Sequence, residues 1–207
     1  MFYYRLAAPD DLDAIMALLE STLNAIEDKN LFVADDRDFV LRHIGGAGEI
    51  LLAAASEEAA GNSQGNRGNT GKCQPVNSHI GNDTDTLAGF LMLRFPEKEA
   101  DNLGRDMGLN DQELLSVVHM ESAAVAQRFR GRKIMQKLVA RGEALAQSRG
   151  YTYAMCTVSP DNPWSLCNML ACGYEIVKTC SKYGGRQRHI LFRRLTDENA
   201  KEEERKL

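Results

Sequence analysis

One junction in this chain leaves few folds open. Apolar residues dominate Leu114 to Val125. The pattern then breaks into Ala126-Gln127-Arg128-Phe129-Arg130-Gly131-Arg132-Lys133, and Ile134, Leu138, Gly142 and Leu145 resume at helical spacing with Met135, Val139 and Ala146 beside them. A buried strand, a short basic loop and an amphipathic helix in that order predict a strand–helix unit, with Gly131 where the helix opens. Beyond it, the pattern predicts a helix over 134–149, a strand over 151–158, a helix over 163–171 and strands over 174–181 and 187–195, the last two joined around Gly184-Gly185. Asn162 before Pro163 marks a helix start, an amide able to cap followed by a proline at the first helical position. Strands alternating with helices argue for a mixed α/β sheet with helices on its faces.

The first half predicts a short strand over 2–7 and a helix opened by Pro9-Asp10-Asp11, whose Leu12, Ile15, Met16, Leu19 and Leu23 share one face. A weaker helix is expected from Asp36 to His43, ended by Gly45-Gly46, then strands over 49–55 and 86–95. Between those strands, Ser56 to Asp85 changes character: Gly61 to Gly71 has almost no apolar side chain, too little to offset the entropy of ordering, so a flexible polar insertion is predicted at 56–85. Asp197 to Leu207 is mostly charged and reads as a frayed tail. Residues 1–196 are therefore read as a single domain, which the length of 207 residues suits.

Hydrophobic residues at 43% and charged residues at 26% exclude a wholly disordered, collagen-like or coiled-coil chain. A formal net charge of -4 weighs against a dedicated nucleic-acid binder. The five cysteines are an odd number with no Cys-x-x-Cys pair, which points to reduced thiols rather than a disulfide framework. The first residues, Met1 to Arg5, show no signal-peptide pattern, and the longest apolar run, Ile50 to Ala55, falls far short of the roughly 18 residues that cross a bilayer. The expectation is a soluble, cytoplasmic protein without a membrane or nucleic-acid partner. No Cys/His spacing fits a metal template, so no metal is expected. Cys156, Cys167 and Cys172 are expected to pack inward, and Trp164 and Tyr174 to belong to the core.

The chemistry is expected at the junction itself. Free N–H groups at a helix N-terminus bind phosphate oxygens well, and Arg128, Arg130, Arg132 and Lys133 add positive charge around the same place. A solvated basic turn is the alternative reading. The residues also resemble the acetyl-CoA-binding motif of the Gcn5-related N-acetyltransferases, Arg/Gln-x-x-Gly-x-Gly/Ala, with Arg128, Gly131 and Lys133 at the three marked places; lysine in the last is a departure. Asn162-x-x-Ser165-x-x-Asn168-Met169-x-x-x-Gly173-Tyr174 is similar to the family's Asn-x-x-Ala-x-x-Leu-Tyr-x-x-x-Gly-Phe segment. Glu121 together with Lys182-Tyr183-Gly184-Gly185 resembles a bacterial branch of that family.

The resemblance implies a mixed, mostly antiparallel splayed sheet with helices on both faces, in which two neighbouring parallel strands part to admit the cofactor. It implies acetyl-CoA as co-substrate, its pantetheine arm on the main chain of Ala123, Ala124 and Val125, its pyrophosphate on the N–H groups from Arg130 to Ile134, and Asn162 and Ser165 at the start of the following helix. The implied reaction is direct transfer of the acetyl group to a primary amine, on a small molecule or a peptide, with a homodimer left open. An aliphatic ammonium has a pKa near about 10.4, so a base must remove its proton. Glu121 is the candidate, with His119 as alternative, and strand alternation puts both on one face with Ala123 and Val125. Met169 stands where many members carry a tyrosine acid, so Tyr183 is taken as the proton donor to the thiolate, unless solvent serves. A non-catalytic acyl-CoA sensor of the same fold is the rival reading.

Overall fold

The computed structural model describes residues 1–33, 35–56 and 86–195. The expected insertion, Ser56 apart, and the expected tail lie outside the described residues, as does Cys73. Seven strands form one sheet in the order β1-β2-β3-β4-β5-β7-β6: β1 (Phe2–Leu6), β2 (Gly48–Ala55), β3 (Thr86–Arg94), β4 (Val117–Val125), β5 (Tyr153–Val158), β6 (Glu175–Lys182) and β7 (Arg186–Arg194). Every pairing is antiparallel except β4 with β5. The helices are α1 (Leu12–Ala25), α2 (Arg37–Arg42), α3 (Asp111–Leu114), α4 (Ile134–Ser148) and α5 (Pro163–Ala171).

The two faces of the sheet follow from strand alternation. On one face Leu91 and Leu93 of β3 pack with Val118 and Met120 of β4 and with Ile134, Leu138 and Val139 of α4. On the other, Leu52, Phe90 and Met92 pack with Leu12, Ile15 and Leu19 of α1. Each buried leucine of these faces contributes about 1.5–3 kcal/mol. Gly142 lets α4 lie close to the sheet: a Cβ there would stand 2.9 Å from Leu91 Cδ2 and 3.1 Å from Leu93 Cδ2. Asp36 and Asn162 cap α2 and α5, accepting from the N–H groups of Phe39 and Ser165.

Four expectations need correction. Leu114 closes α3 rather than opening the strand; Asn110 caps that turn, its side chain accepting from the N–H groups of Gln112 and Glu113 while Glu113 reaches back to the Asn110 N–H. The helix after the basic loop begins at Ile134, as the span 134–149 predicts, but it does not open at Gly131, because Gly131 (φ +76) and Lys133 (φ +58) are both left-handed and no helix can form through them. Trp164 is 83% exposed and Cys167 is exposed, since α5 turns those positions outward, whereas Tyr174 and Cys156 are buried as expected.

The strand alternation assumed along β4 also fails. Leu91 pairs with Ala123 but Leu93 pairs with Met120, so three residues of β4 oppose two of β3. This is a β-bulge at Glu121-Ser122, and it reverses the parity of the rest of the strand. Ala123 and Val125 lie on the α4 face with Met120, while His119 and Glu121 lie on the opposite face. The bulge also bends β4 away from its parallel neighbour. Pairing with β5 ends at His119↔Met155, whereas β5 stays paired with β7 along its whole length.

Candidate active site

The parting of β4 and β5 opens a gap at the carboxyl ends of two parallel strands, where both following loops meet. The free edge of β4 faces it. The Ala126 N–H donates to the Ala88 carbonyl on the β3 side. By alternation Ala124 also directs its main chain to β3, whereas Ala123 and Val125 turn theirs to the gap. Ala124 thus drops out of the expected main-chain set.

The basic loop is held from beneath by Phe129, 1% exposed and edge-on to Phe2 at 5.6 Å. Arg128 lies over the Phe129 ring at 4.7 Å, and Arg132 over the Phe129 and Phe2 rings at 5.7 and 5.8 Å. Cation–π contact keeps both charges near the loop. The Arg130 N–H donates to the Gln127 carbonyl, so it is not available to an anion, and its side-chain Nε reaches the Val125 carbonyl at 3.4 Å. From Gly131 to Gln136 the situation differs. The first backbone donor inside α4 is Lys137, onto the Lys133 carbonyl, and among the described residues none of the six N–H groups before it meets a backbone acceptor. Side-chain carboxylates are absent from the first turn of α4. Six successive free amides at a helix N-terminus, with four cationic side chains around them, form an anion site. Left-handed Gly131 has open space where a Cβ would stand, so the loop keeps its approach clear. Ile134, 2% exposed, anchors α4 and offers only its N–H.

Asn162 and Ser165 start α5, beyond the end of β5 and therefore across the gap from this loop. The Asn162 side chain is engaged in capping the Ser165 N–H at 3.0 Å. Met169 is buried in the core of the α4 face.

On the opposite face of the sheet the polar residues gather. Glu121 Oε2 lies 3.3 Å from His119 Nδ1 and 3.6 Å from Arg94 Nη1. His119 Nε2 accepts the Leu103 N–H at 3.1 Å. That acceptor role leaves the proton on Nδ1, which donates to Glu121, so both ring nitrogens are engaged and the histidine holds the carboxylate. Burial pushes the Glu121 carboxyl up, but the hydrogen bond from His119 and the charge of Arg94 outweigh it, and the net shift is downward. Glu121 is thus an ionised acceptor with its side chain 18% exposed. Arg94 is itself gripped by Glu99 and by Asp101 at 2.7 Å.

Because His119 pairs with Met155, Thr157 occupies the place on β5 equivalent to Glu121 on β4, on the same face across the gap. The Tyr183 hydroxyl lies 3.1 Å from Thr157 Oγ1. Tyr183 sits in the β6–β7 turn with φ +48 and is 47% exposed. Burial there and the charge of Glu121 push the phenol up, so it stays protonated at neutral pH. The structure therefore brings Glu121 and Tyr183 to one place.

Four residues of this face escaped sequence reasoning: Asp35, Ser122, Thr157 and Arg188. The bulge turns Ser122 onto the face of Glu121, where its hydroxyl donates to the Asp35 carboxylate. Burial raises the Asp35 carboxyl, and the charge of Glu121 adds to the rise. Arg188, 4% exposed, donates to the carbonyls of Asn30 at 2.6 Å and Gln187 at 2.9 Å. Single polar residues in a loop or strand carry no periodic signal, so only the Lys-Tyr-Gly-Gly turn hinted at this corner.

A splayed mixed sheet with an anion-binding loop on the leading strand defines an acyltransferase fold. The family model described as acetyltransferase (GNAT) family matches residues 63–174, more than half of the chain, and the protein belongs to that family. An N-acetyltransferase from Staphylococcus aureus Mu50 superposes with a TM-score of 0.60 at 14% identity, covering 95% of this chain and 99% of that one. The putative acetyltransferase YncA from Salmonella typhimurium, solved with its cofactor acetyl-CoA, gives 0.59 at 16% identity with 95% of each chain covered. A phosphinothricin acetyltransferase from Sinorhizobium meliloti, in complex with acetyl-CoA, gives 0.59 at 17% identity, covering 96% of this chain and 91% of that one. At such identities the likeness is one of fold. No curated protein matches the sequence. Among the described residues no helix is long and apolar enough to cross a membrane, and no group of three His, Cys, Asp or Glu side chains is placed to hold a metal ion.

Proposed function

We propose that this chain binds acetyl-CoA and transfers its acetyl group directly to a primary amine. The observation that carries the reading is the row of six free amides from Gly131 to Gln136 beside the parted strands. The diphosphate sits on those amides, with Arg128, Arg130, Arg132 and Lys133 compensating its charge. The pantetheine arm runs along the free edge of β4 as an added strand, bonded to the main chain of Ala123 and Val125, and Asn162 and Ser165 border it from α5. This places the thioester at the level of Glu121, where β4 and β5 part.

The amine arrives on the opposite face as an ammonium. Glu121, ionised and held by His119 and Arg94, takes its proton directly or through a water. The freed nitrogen lone pair attacks the thioester carbonyl, the carbon–sulfur bond breaks as the amide forms, and the departing thiolate takes a proton from Tyr183 or from solvent. Thr157 orients the phenol. A carboxylate lying below the ordinary glutamate range is a modest base, so proximity supplies much of the rate. The ionised state of Glu121 at neutral pH favours catalysis over passive acyl-CoA sensing. One domain over residues 1–196 carries the activity.

The test is a thiol-release assay with acetyl-CoA and a panel of primary amines, preceded by thermal denaturation. Acetyl-CoA but not free acetate raises the melting temperature, and thiol appears only when amine is present. Stabilisation by acetyl-CoA with no turnover across the panel would instead make the protein a sensor.

A further inference from the structure

The α1–α2 connection crosses the face that bears Glu121. At Asn30 its carbonyl is held by Arg188 of β7, and at Asp35 its carboxylate is held by Ser122 of β4. Sheet order is β4-β5-β7 and β4 and β5 are parted at this level, so those two anchors lie more than two strand spacings, ~10 Å, apart. Five residues reach at most about 17 Å, which is enough to bridge them. Strand alternation puts Glu121, Thr157 and Arg188 on this one face, the face on which Met155 and Ile190 also pack. Together the segment and the strands it crosses present a row of polar groups: Asp35 of the segment and Glu121 of the strand on the β4 side, the Thr157–Tyr183 pair in the middle, and Arg188 on the β7 side.

The two ends of that row share an anomaly. Asp35 has a hydroxyl for a partner, and among the described residues no cation lies within ion-pair distance of it, His43 acting on it only from further off. Arg188 is a nearly buried guanidinium with two carbonyl partners, and among the described residues no carboxylate lies within ion-pair distance of it, Asp28 acting on it only from further off. Two of its five N–H donors go to those carbonyls, leaving three. Its Cζ lies 5.9 Å from the centroid of the Tyr183 ring, and the Tyr183 hydroxyl feels the charges of both Glu121 and Arg188. Uncompensated charges taken from water are costly unless something pairs with them. Here the face that bears Glu121 and Tyr183 holds one of each sign, Asp35 at the β4 side and Arg188 at the β7 side.

We propose that the acceptor is an amino carboxylate: its ammonium is received by Asp35 beside Glu121, and its carboxylate by Arg188. This rests on the acetyl-transfer reading above and narrows it. Glu121, already paired with Arg94, removes the proton, whereas Asp35 holds the cation before that step. A guanidinium meets a carboxylate through two parallel N–H bonds, a geometry that neutral or purely cationic amines cannot use.

The experiment measures kcat/KM for two acceptor pairs that differ by the carboxylate alone: L-phenylalanine against 2-phenylethylamine, and 4-aminobutanoate against propylamine. The amino acid of at least one pair is expected to exceed its partner about tenfold or more, the value of one charge-assisted contact. Arg188→Gln should bring that ratio near one, through KM for the amino acid, with acetyl-CoA affinity unchanged; Arg188→Lys serves where the first variant does not fold. Asp35→Asn should raise KM for both members of the pair alike. Equal or better use of both carboxylate-free amines by the wild-type protein overturns the proposal while leaving acetyl transfer intact, and so does a preference that survives both Arg188 variants. No turnover of any of the four, with another amine of the panel acetylated, overturns this proposal alone, and no turnover across the whole panel overturns the acetyl-transfer reading with it.

Discussion

The two sides of the cleft recognise their ligands by different means. On the α4 face and at the loop, the groups that meet the cofactor are main-chain amides: Gly131 to Gln136 at the helix start and Ala123 and Val125 along the β4 edge. On the opposite face the working groups are side chains: Glu121, Tyr183, Asp35 and Arg188. Backbone donors depend on chain path and tolerate most side chains, so that side survives departures such as Lys133. Side-chain charges depend on single residues, so that side sets which amine is accepted. The bulge at Glu121-Ser122 joins the two functions, since it opens the cofactor gap and also aims two polar side chains at the acceptor.

The largest contrast is expected from Gly131→Asp. A left-handed non-glycine residue costs about 1–2 kcal/mol, and a carboxylate near ~5 Å from the diphosphate adds about 3 kcal/mol at an effective dielectric of about 20. The strain is present in the free fold and lowers stability, whereas the repulsion lowers acetyl-CoA affinity about two-hundredfold by calorimetry. Glu121→Gln should act on the other side alone, lowering kcat about a hundredfold with acetyl-CoA affinity within about twofold. The same variant carries a sign in stability. Because the Glu121 carboxyl is shifted down in the fold, its charge stabilises the protein above the ordinary carboxylate pKa, and that contribution is lost as pH falls through the lowered value. The melting temperature of Glu121→Gln should therefore lie below wild type at neutral pH and converge with it in acid.

Tyr183→Phe is expected to reduce kcat less than about tenfold, since solvent also protonates a thiolate whose pKa is near about 8.5. A hundredfold loss would make the phenol an obligatory acid. Lys133→Gly should have the smallest effect. It relieves left-handed strain at φ +58 but raises the entropy of the unfolded chain, two terms of about 1 kcal/mol that oppose each other. Melting temperature and acetyl-CoA affinity should both stay near wild type, whereas a large affinity loss would mean that the lysine charge, not the amide row, holds the diphosphate.

Legibility in the sequence divides along the same line. The strand–loop–helix junction, the Asn162-Pro163 start and the helical repeat through Gly142 are periodic or positional signals, and they place the sheet, α4 and the anion loop within a few residues. Leu114 misleads because an apolar run gives no sign of the capped turn that ends in it. The bulge is invisible because β4 carries apolar residues on both faces, so the reversal of parity leaves no mark in the polarity pattern, and with it goes the true placement of Ser122. Asp35 and Arg188 stand 153 positions apart in sequence. Only the order β4-β5-β7, with the α1–α2 connection tied to Ser122 and Arg188, brings them to one face.

Backbone amide NMR during titration tests the amide cradle most directly. With acetyl-CoA, the N–H resonances of Gly131 to Gln136 should move together and further than those elsewhere in α4, while S-acetylpantetheine, which lacks the diphosphate, should perturb Ala123 and Val125 but leave that row in place. Saturation by acetyl-CoA with Gly131 to Gln136 unmoved would contradict the account.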